Sequence, residues 1–203
     1  AEAYSNKAAK QMRLVELLSV VDMLILFLLI IEQSLSSMRI IRKNRILEQK
    51  AYIDVHTGLP NKSKCEELFS DMSFITEPTA CLMFDLNNLK SANDTLGHSA
   101  GDQLIASFAR VLRNVIPAKD FVGRYGGDEF VVILYNITEN TVNCLLTQLH
   151  NEVMQFNRGG NNIPISYAQG WAVSTDYTDC TLRTLFDKAD HFMYTNKVRV
   201  KSE

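Results

Sequence analysis

The chain has few cysteines and no cysteine motif. Its 203 residues include four, at positions 65, 81, 144 and 180, and no two have the C-x-x-C spacing of zinc or redox sites. We therefore expect reduced, mostly packed thiols in a cytosolic domain, with a disulfide or redox role as the alternative. No internal repeat and no low-complexity tract is present, which excludes a repeat array.

The chain also lacks an excess of charge of one sign. The formal net charge is −2, so no basic face for nucleic acid is indicated and we expect no nucleic-acid partner. Local groups are still able to bind a small polyanionic substrate. With 46% hydrophobic residues, the chain is long enough for one globular core and an appendage. It begins with Ala rather than Met, so we expect a fragment of a longer protein.

The most apolar stretch is residues 14–31, which contains 14 Leu, Ile, Val or Phe residues. On an insertion scale these contribute roughly −4 to −8 kcal/mol, against about +3 kcal/mol for Asp22 near the centre. We predict a transmembrane helix over residues 14–34. Basic residues are more frequent after it than before it, which orients the C-terminal part toward the cytoplasm. The alternative is a soluble amphipathic stalk that dimerises through the same stripe.

The rest of the chain divides on either side of this helix. Residues 1–13 are interpreted as the end of a missing N-terminal, sensory region. Residues 35–53 are predicted to form a helical linker, and the seven-residue spacings Ile40/Leu47 and Ile46/Ile53 are weak indications of a coiled coil. Gly58 and Pro60 end any continuous helix, and residues 54–203 are predicted to be the globular domain.

Within residues 54–203 the hydrophobic pattern alternates between strand and helix. Residues 81–84 read as a buried strand, residues 104–115 as a helix stopped by Pro117, and residues 121–135 as a hairpin. A helix over 142–156, a strand over 163–173 and a last helix from Leu182 follow. This order predicts an α/β fold, specifically an α+β sandwich with a mixed central sheet flanked by helices.

The sequence Gly126-Gly127-Asp128-Glu129-Phe130 predicts a tight turn between two apolar strands. A Gly-Gly pair favours a hairpin turn and lets a ligand approach the backbone closely. Adjacent carboxylates suit a phosphate site only when a cation lies between them and the ligand. The turn therefore predicts a divalent metal, with solvated turn carboxylates as the alternative.

Polar residues are concentrated directly after the first predicted strand. Asp85 ends that strand, and it would face Asp128 or Glu129 if the strand and the hairpin are neighbours. Three close carboxylates raise their own pKa values unless a cation such as Mg²⁺ binds them.

The polar segment after Asp85 offers candidates for nucleotide binding. Lys90 is a candidate for phosphate or an ordinary surface lysine, and Asn93 and Asp102 have groups that complement guanine. Ser99-x-x-Asp102 also fits a helix capping box. His98 alone is more often structural than a ligand.

Together these residues resemble the GGDEF, or diguanylate cyclase, family over roughly residues 54–201. Residues 124–130 (RYGGDEF) match its signature without substitution, and residues 85–102 resemble its D-x-D-x-F-K…N-D-x-x-G-H-x-x-G-D segment. Asp54…Thr57-Gly58-Leu59-Pro60-Asn61 is similar to its opening motif, and Ala189-Asp190…Met193-Tyr194…Lys197 to its C-terminal helix. The resemblance implies a fold close to the palm of nucleotidyl cyclases and polymerases. It also implies condensation of two GTP into cyclic di-GMP with release of two pyrophosphates.

The resemblance also implies roles for individual residues. Mg²⁺, with Mn²⁺ as an alternative, would be held by Asp85, the Leu86 carbonyl, Asp128 and Glu129, and Glu129 would promote loss of the ribose 3′-OH proton. Gly126 and Gly127 would lie against the phosphates, and Lys90 and Lys197 would offset phosphate charge. Asn93, His98 and Asp102 would contact the nucleoside, with Asp102 selecting guanine. Each subunit would hold one GTP, so a homodimer is required.

The chain departs from the family pattern at three places. Asn87 replaces the second Asp of D-x-D and Leu89 the usual Phe, which predicts slightly weaker metal binding with activity retained. The slot of the R-x-x-D product-inhibition site reads Pro117-Ala118-Lys119-Asp120, and proline cannot pair with phosphate, so we predict no strong feedback inhibition there. The basic group after Lys197 is matched only loosely, by Arg199 or Lys201.

We therefore expect a diguanylate cyclase anchored in the inner (cytoplasmic) membrane of a bacterium, with its catalytic domain in the cytoplasm. The alternatives are a catalytically silent module that binds GTP or cyclic di-GMP, and a dimerising scaffold.

Overall fold

The computed structural model describes residues 2–160 and 163–201, with side chains described for 12–13, 18–44, 51–160 and 163–198. The chain divides into two compact units, residues 1–49 and 50–203. The first unit consists of most of α1, a helix that runs from Glu2–Tyr52. The side chains of Ile46 and Leu47, on which the predicted coiled-coil spacing depends, lie outside the described residues.

Within α1 the segment Leu18–Asn44 is long and apolar enough to cross a membrane, with a mean hydropathy of 2.1. None of the side chains in its apolar window is buried. The eight consecutive apolar residues from Leu24 to Ile31 are between 39% and 64% exposed. By length and composition this segment is a candidate membrane span, and it overlaps residues 14–34, the predicted transmembrane helix, over residues 18–34.

The second unit contains the predicted succession of strand, helix, hairpin, helix, strand and helix. The bounds of its elements are α2 (Lys62–Phe69), β1 (Thr79–Leu86), α3 (Leu89–Leu96), α4 (His98–Val115), β2 (Phe121–Arg124), β3 (Glu129–Tyr135), α5 (Glu139–Arg158), β4 (Tyr167–Val173) and α6 (Leu182–Lys201). A short 3₁₀ turn, Ser174–Asp176, follows β4. The α/β fold class is therefore confirmed.

One feature of the predicted sheet is wrong. The order is β2-β3-β1-β4, and all three described pairings are antiparallel, whereas we expected a mixed sheet. Hydrophobic runs locate strands without giving their direction, which depends on how the connections return the chain to the sheet. Antiparallel pairing places the end of β1 against the start of β3.

Helices cover both faces of the sheet. One face packs against α4 and α5 in a core that includes Phe84, Phe108 and Phe130, whose rings meet edge to face. The other face packs against α2 and α6, and its core includes Phe69 and Leu185. With helices on both sides, β1 is buried along its whole length.

Three local predictions differ from the structure. Helix α4 starts at His98 with Gly97 as its N-cap and no side-chain cap bond, so the capping box predicted for Ser99 and Asp102 is wrong. Helices α2 and α3 were not predicted, and α3 has a polar sequence without a buried residue. Strand β4 begins at Tyr167 rather than at residue 163.

The cysteines are mostly packed, as expected. All four are free, with Cys65, Cys81 and Cys180 buried and Cys144 exposed. Burial raises the pKa of Cys65 to about 12, which makes its thiol unreactive.

Candidate active site

The turn between β2 and β3 is held by backbone hydrogen bonds and by one arginine. The amides of Tyr125 and Gly126 donate to the Glu129 carbonyl at 2.9 and 3.2 Å, and Nη2 of Arg124 donates to the Gly127 carbonyl at 2.8 Å. A Cβ on Gly126 would lie 2.3 Å from Oε2 of Glu129. Glycine at 126 therefore leaves room for the carboxylate of Glu129.

The sheet register brings the first strand to this turn. Asp85 is the cross-strand partner of Glu129, and the amide of Leu86 donates to the carbonyl of Asp128 at 2.9 Å. The expectation that Asp85 faces Asp128 or Glu129, provided the strand and hairpin are neighbours, is confirmed. The three carboxylates therefore share one edge of the sheet.

A lysine from the last helix reaches the same edge. Nζ of Lys197 lies 2.6 Å from Oδ1 of Asp85, whose side chain is only 9% exposed. Lys197 follows Asp85 by 112 residues, and α6 packs against β1 and β4 and supplies it. In this arrangement Lys197 balances the charge of the buried carboxylate.

The electrostatics of Glu129 differ from those of an ordinary surface carboxylate. Burial, and then the charges of Asp128, Asp190 and Asp85, raise the pKa of Glu129, while Lys62 acts in the opposite direction. Burial and Asp187 raise the pKa of Asp190 as well. This accumulation of negative charge favours a proton or a cation at the turn.

The predicted metal ligands are oxygen atoms, which suit a hard cation, but they do not form a complete coordination site by themselves. Among the described residues, no three His, Cys, Asp or Glu side chains are grouped closely enough to hold an ion by themselves. The predicted set of Asp85, Asp128, Glu129 and the Leu86 carbonyl offers only oxygen, which Mg²⁺ prefers, and Mg²⁺ usually keeps waters and substrate phosphates as further ligands. The raised pKa of Glu129 supports the same fit.

The predicted nucleoside-binding residues lie on α3 and α4. Oδ1 of Asn93 is buried without a hydrogen-bond partner among the described residues. A Cβ on Gly101 would lie 2.1 Å from that oxygen, so glycine at 101 makes room for the amide. An orphaned acceptor at a predicted binding residue is a place for a ligand donor.

Asp102, Lys90 and His98 are more open. The carboxylate of Asp102 is 53% exposed and its Oδ1 lies 3.7 Å from Nδ1 of His56. Lys90, in the first turn of α3, and His98, at the start of α4, are both exposed. Asp102 is thus free of a capping role and available to solvent or ligand.

A family model described as "Diguanylate cyclase, GGDEF domain" matches residues 51–203, which is three quarters of the chain and contains every residue above. The chain belongs to the GGDEF domain family. Signaling protein YkoW of Bacillus subtilis is 32% identical over 189 residues, which are 85% of this chain and 23% of YkoW. A diguanylate cyclase of Vibrio cholerae is 26% identical over 155 residues, covering 74% of this chain and 48% of that enzyme. The chain thus spans less than half the length of these curated relatives.

Solved structures agree with the family. The GGDEF domain of DgcB from Caulobacter crescentus, in complex with c-di-GMP, superposes with a TM-score of 0.61 at 26% identity, covering 73% of this chain and 91% of that domain. Another microbial GGDEF domain, studied in its interaction with cyclic di-GMP, gives a TM-score of 0.63 at 26% identity, with coverages of 75% and 94%.

The GGDEF signature is tied to the opening motif by contacts that the sequence did not predict. Nη1 of Arg124 donates to Oδ2 of Asp54 at 2.9 Å, and Thr57 donates to Oδ1 of Asp54 from both its amide and its hydroxyl. Burial raises the pKa of Asp54. The hydrogen bonds and the charge of Arg124 lower it by a larger amount, so the net pKa is lowered. Arg124 therefore braces the GGDEF turn against residues 54–57.

Other residues near the GGDEF turn were also missed. Lys62 lies over the ring of Tyr125, with Nζ 5.0 Å from its centroid, and its charge acts on Glu129. Asp190 also acts on Glu129 electrostatically, and His56 neighbours Asp102. Since each partner is distant in the chain, no local pattern would have revealed these contacts.

Asp120, in the slot that corresponds to the family's product-inhibition site, makes hydrogen bonds within the fold. Oδ1 of Asp120 accepts a hydrogen bond from the amide of Tyr135 at 3.0 Å, and the Asp120 amide donates to the Pro117 carbonyl. Asn87, the other departure, donates from Nδ2 to Oγ of Ser166 at 3.0 Å. The side chains of Arg199 and Lys201 lie outside the described residues.

Proposed function

We propose that this GGDEF domain is a diguanylate cyclase that condenses two GTP into cyclic di-GMP and releases two pyrophosphates. Family membership and the similarity to proteins named diguanylate cyclases support a function connected with cyclic di-GMP. The observation that carries the finer proposal is the pairing of Asp85 with Glu129 across β1 and β3, beside Asp128. This puts several carboxylates where phosphates would approach a glycine turn.

In this proposal each predicted residue has a stated task. Gly126 and Gly127 let the turn lie against the phosphates, and Lys90 and Lys197 offset phosphate charge. Asn93, His98 and Asp102 contact the nucleoside, with Asp102 selecting guanine. The orphaned Oδ1 of Asn93 and the exposed carboxylate of Asp102 support these tasks, because both are acceptors without a strong partner.

The bond changes at the reacting centre are those of an in-line displacement. The ribose 3′ oxygen forms a bond to the α-phosphorus of the second GTP, and the bond from that phosphorus to the pyrophosphate oxygen breaks. Glu129 promotes loss of the 3′-OH proton, for which its raised pKa is suited. Mg²⁺, when held by Asp85, the Leu86 carbonyl, Asp128 and Glu129, supplies charge neutralisation at the phosphates.

The reaction requires two copies of the domain. One site holds one GTP, and each 3′-OH attacks the nucleotide held by the other subunit, so a homodimer forms the complete active site. Helix α1 supports membrane attachment, because Leu18–Asn44 meets the length and composition of a span. We place residues 14–34 in the inner membrane of a bacterium and the GGDEF domain in the cytoplasm.

A second candidate is a silent module that binds GTP or cyclic di-GMP without turnover. The contact that favours it is the 2.6 Å pair between Lys197 and Asp85, because a lysine that stays on the carboxylate occupies the place of a metal. The complete set Asp85, Asp128 and Glu129 favours the cyclase instead.

The deciding experiment measures GTP turnover with Mg²⁺ by chromatography of the products, for the wild type beside Glu129→Ala. Cyclic di-GMP from the wild type and none from the variant is the expected result. Dimers that bind GTP but yield no product would overturn the cyclase in favour of the silent module. A chain that stays monomeric is retested after fusion to a constitutive dimerisation domain.

A further inference from the structure

A cleft of about 1130 Å³ lies between α5 and β4 and opens at the edge of the sheet where Asp128 and Lys197 lie. Its volume is slightly above the range of roughly 300–1,000 Å³ that is usual for small-molecule sites. None of the predicted nucleoside-binding residues, Asn93, His98 and Asp102, lines it. The cleft is therefore separate from the place proposed for the guanine of the substrate.

The α5 wall of the cleft is a stripe of uncharged side chains. Asn143, Thr147, His150 and Met154 recur at helical spacing along it, and all four are exposed. The charged residues of α5, Glu139, Glu152 and Arg158, are not among the residues that line it. Asn143 and Thr147 offer neutral hydrogen-bonding groups, His150 an imidazole and Met154 a thioether, and such groups suit a flat, polar organic ligand better than an ion.

The floor of the cleft is formed by β4. Trp171 and Gln169 lie on the same face of the strand, two residues apart. Oε1 of Gln169 is buried without a hydrogen-bond partner among the described residues, while the Gln169 carbonyl already accepts from Asn196 at 3.0 Å. The terminal torsion of glutamine is soft, so its amide can turn to present a donor and an acceptor beside the indole.

The mouth of the cleft carries a free positive charge. Lys90 lines it together with Asp128 and Lys197. Lys197 is already paired with Asp85, whereas Lys90 is exposed and has no ion pair among the described residues. An anionic group at this end therefore has an unpaired ammonium to bind.

We propose that the cleft binds an adenine mononucleotide. The adenine ring lies against Trp171, the amide of Gln169 pairs with the amino group and ring nitrogen of adenine as glutamine does in the grooves of DNA, and the phosphate binds Lys90. Stacking of a base on an aromatic side chain strengthens binding by about fivefold or more. The contact uses the N6–N7 edge of adenine; the corresponding O6–N7 edge of guanine presents only acceptors.

The binding itself does not depend on the proposed cyclase activity, but one consequence does. Because Lys90 is also proposed to bind the phosphates of GTP, the adenine nucleotide competes with substrate at the phosphate end only. In an active cyclase it raises the KM for GTP and leaves kcat unchanged.

The chain provides its own probe, because Trp171 is its single tryptophan. The full chain in detergent is titrated with AMP, without GTP, and the fluorescence of Trp171 and the heat of binding are recorded. Adenosine and ribose 5-phosphate are titrated in parallel as the base and the anion alone. We expect saturable quenching by AMP. Adenosine and ribose 5-phosphate should each bind at least about tenfold more weakly than AMP, because each lacks one group of contacts.

Variants identify the site. Gln169→Met keeps the side-chain length and removes the amide, and it should weaken AMP binding by about three- to tenfold, as should Lys90→Ala. Gln148→Met, on the exposed side of α5 outside the cleft, should bind AMP like the wild type. No fluorescence change and no heat at millimolar AMP would overturn the proposal. Equal affinity for AMP in Gln169→Met and Gln148→Met would overturn it too, whether or not GTP is turned over.

Discussion

Asp54, in the opening motif, and Glu129, in the GGDEF turn, are two carboxylates with opposite environments. Asp54 accepts three hydrogen bonds, from Arg124 and twice from Thr57, and its pKa is lowered. The side chain of Glu129 has no hydrogen bond among the described residues, and burial with nearby carboxylates raises its pKa. Of these two carboxylates, the one that joins the opening motif to the turn is paired within the fold, whereas the one proposed to act on substrate is left for a ligand. Asp85, which is proposed to hold metal and is paired with Lys197, combines both situations.

The contrast between Asp54 and Glu129 is tested most strongly by a substitution that neutralises Glu129. We expect Glu129→Gln to slow GTP turnover by about 10²- to 10⁴-fold, because proton transfer is lost. A raised carboxyl pKa means that the folded state favours the neutral form, so stability is lost as pH rises through that pKa. The neutral glutamine should therefore leave the melting temperature unchanged or slightly higher.

Turnover and thermal melting on the same samples test this contrast. Glu152→Gln, at an exposed position on α5, is the control and should change neither quantity. Full turnover in Glu129→Gln would show that Glu129 has no role in proton transfer.

Two glycines give a similar contrast between a position packed inside the fold and a position at the proposed active site. A Cβ on Gly170 would lie 2.0 Å from the amide nitrogen of Met193 and 2.4 Å from the carbonyl oxygen of Ala189. Because β4 and α6 must separate to admit it, Gly170→Ala should cost about 3 kcal/mol in the free energy of unfolding. Urea denaturation measures this loss.

Gly126→Ala is the matched substitution at the turn. Its new methyl group meets the end of the flexible Glu129 side chain at 2.3 Å, so the carboxylate moves instead of the backbone. We expect a change in unfolding free energy below about 1 kcal/mol, with a clear loss of turnover. Equal destabilisation by the two substitutions would contradict this distinction.

Asp54→Asn tests the structural carboxylate. The Asp54 side chain is 17% exposed. Loss of its charge should lower the free energy of unfolding by about 1 kcal/mol near neutral pH. Since the folded pKa is lowered, this contribution is complete above the ordinary value of 3.8 and disappears as pH falls through the folded pKa. Denaturation of both proteins at several pH values should show their stabilities converging in acid, and a difference that persists there would show that charge is not its source.

The smallest expected effect concerns Pro117. Added cyclic di-GMP should slow wild-type turnover by well under the fivefold that allosteric coupling commonly produces, because proline cannot pair with phosphate. Initial rates with added product measure this, with Pro117→Arg as the control that restores the missing arginine. Strong inhibition of the wild type at low micromolar product would reveal a second inhibitory site.

Much of the fold was predictable because its signals are local. Helical spacing located α4, α5 and α6, and the glycine turn located the β2–β3 hairpin. Helix α3 was missed because it has no buried face, and the capping prediction for Asp102 failed because Gly97 begins α4 without any side-chain cap. A four-residue motif is compatible with several backbone conformations, so it predicts less than a repeated hydrophobic pattern.

The candidate site was predictable in its members but not in its contacts. The motif residues Asp85, Asp128 and Glu129 were named from the sequence, and their meeting depended on whether β1 and β3 are neighbours. The contacts of Asp54 with Arg124, of Asp102 with His56 and of Glu129 with Asp190 were not predicted. Each joins residues more than 40 positions apart, where short-range spacing carries no information.

The sequence by itself determined the family, the order of the strands and of α4, α5 and α6, and the residue types proposed to meet a nucleotide, since these are properties of short segments. Only the tertiary structure decided that the three pairings among the described strands are antiparallel, that Lys197 forms an ion pair with Asp85, and that a cleft opens between α5 and β4. Those features arise when distant segments exclude water together, and the register that results is a property of the whole packed sheet.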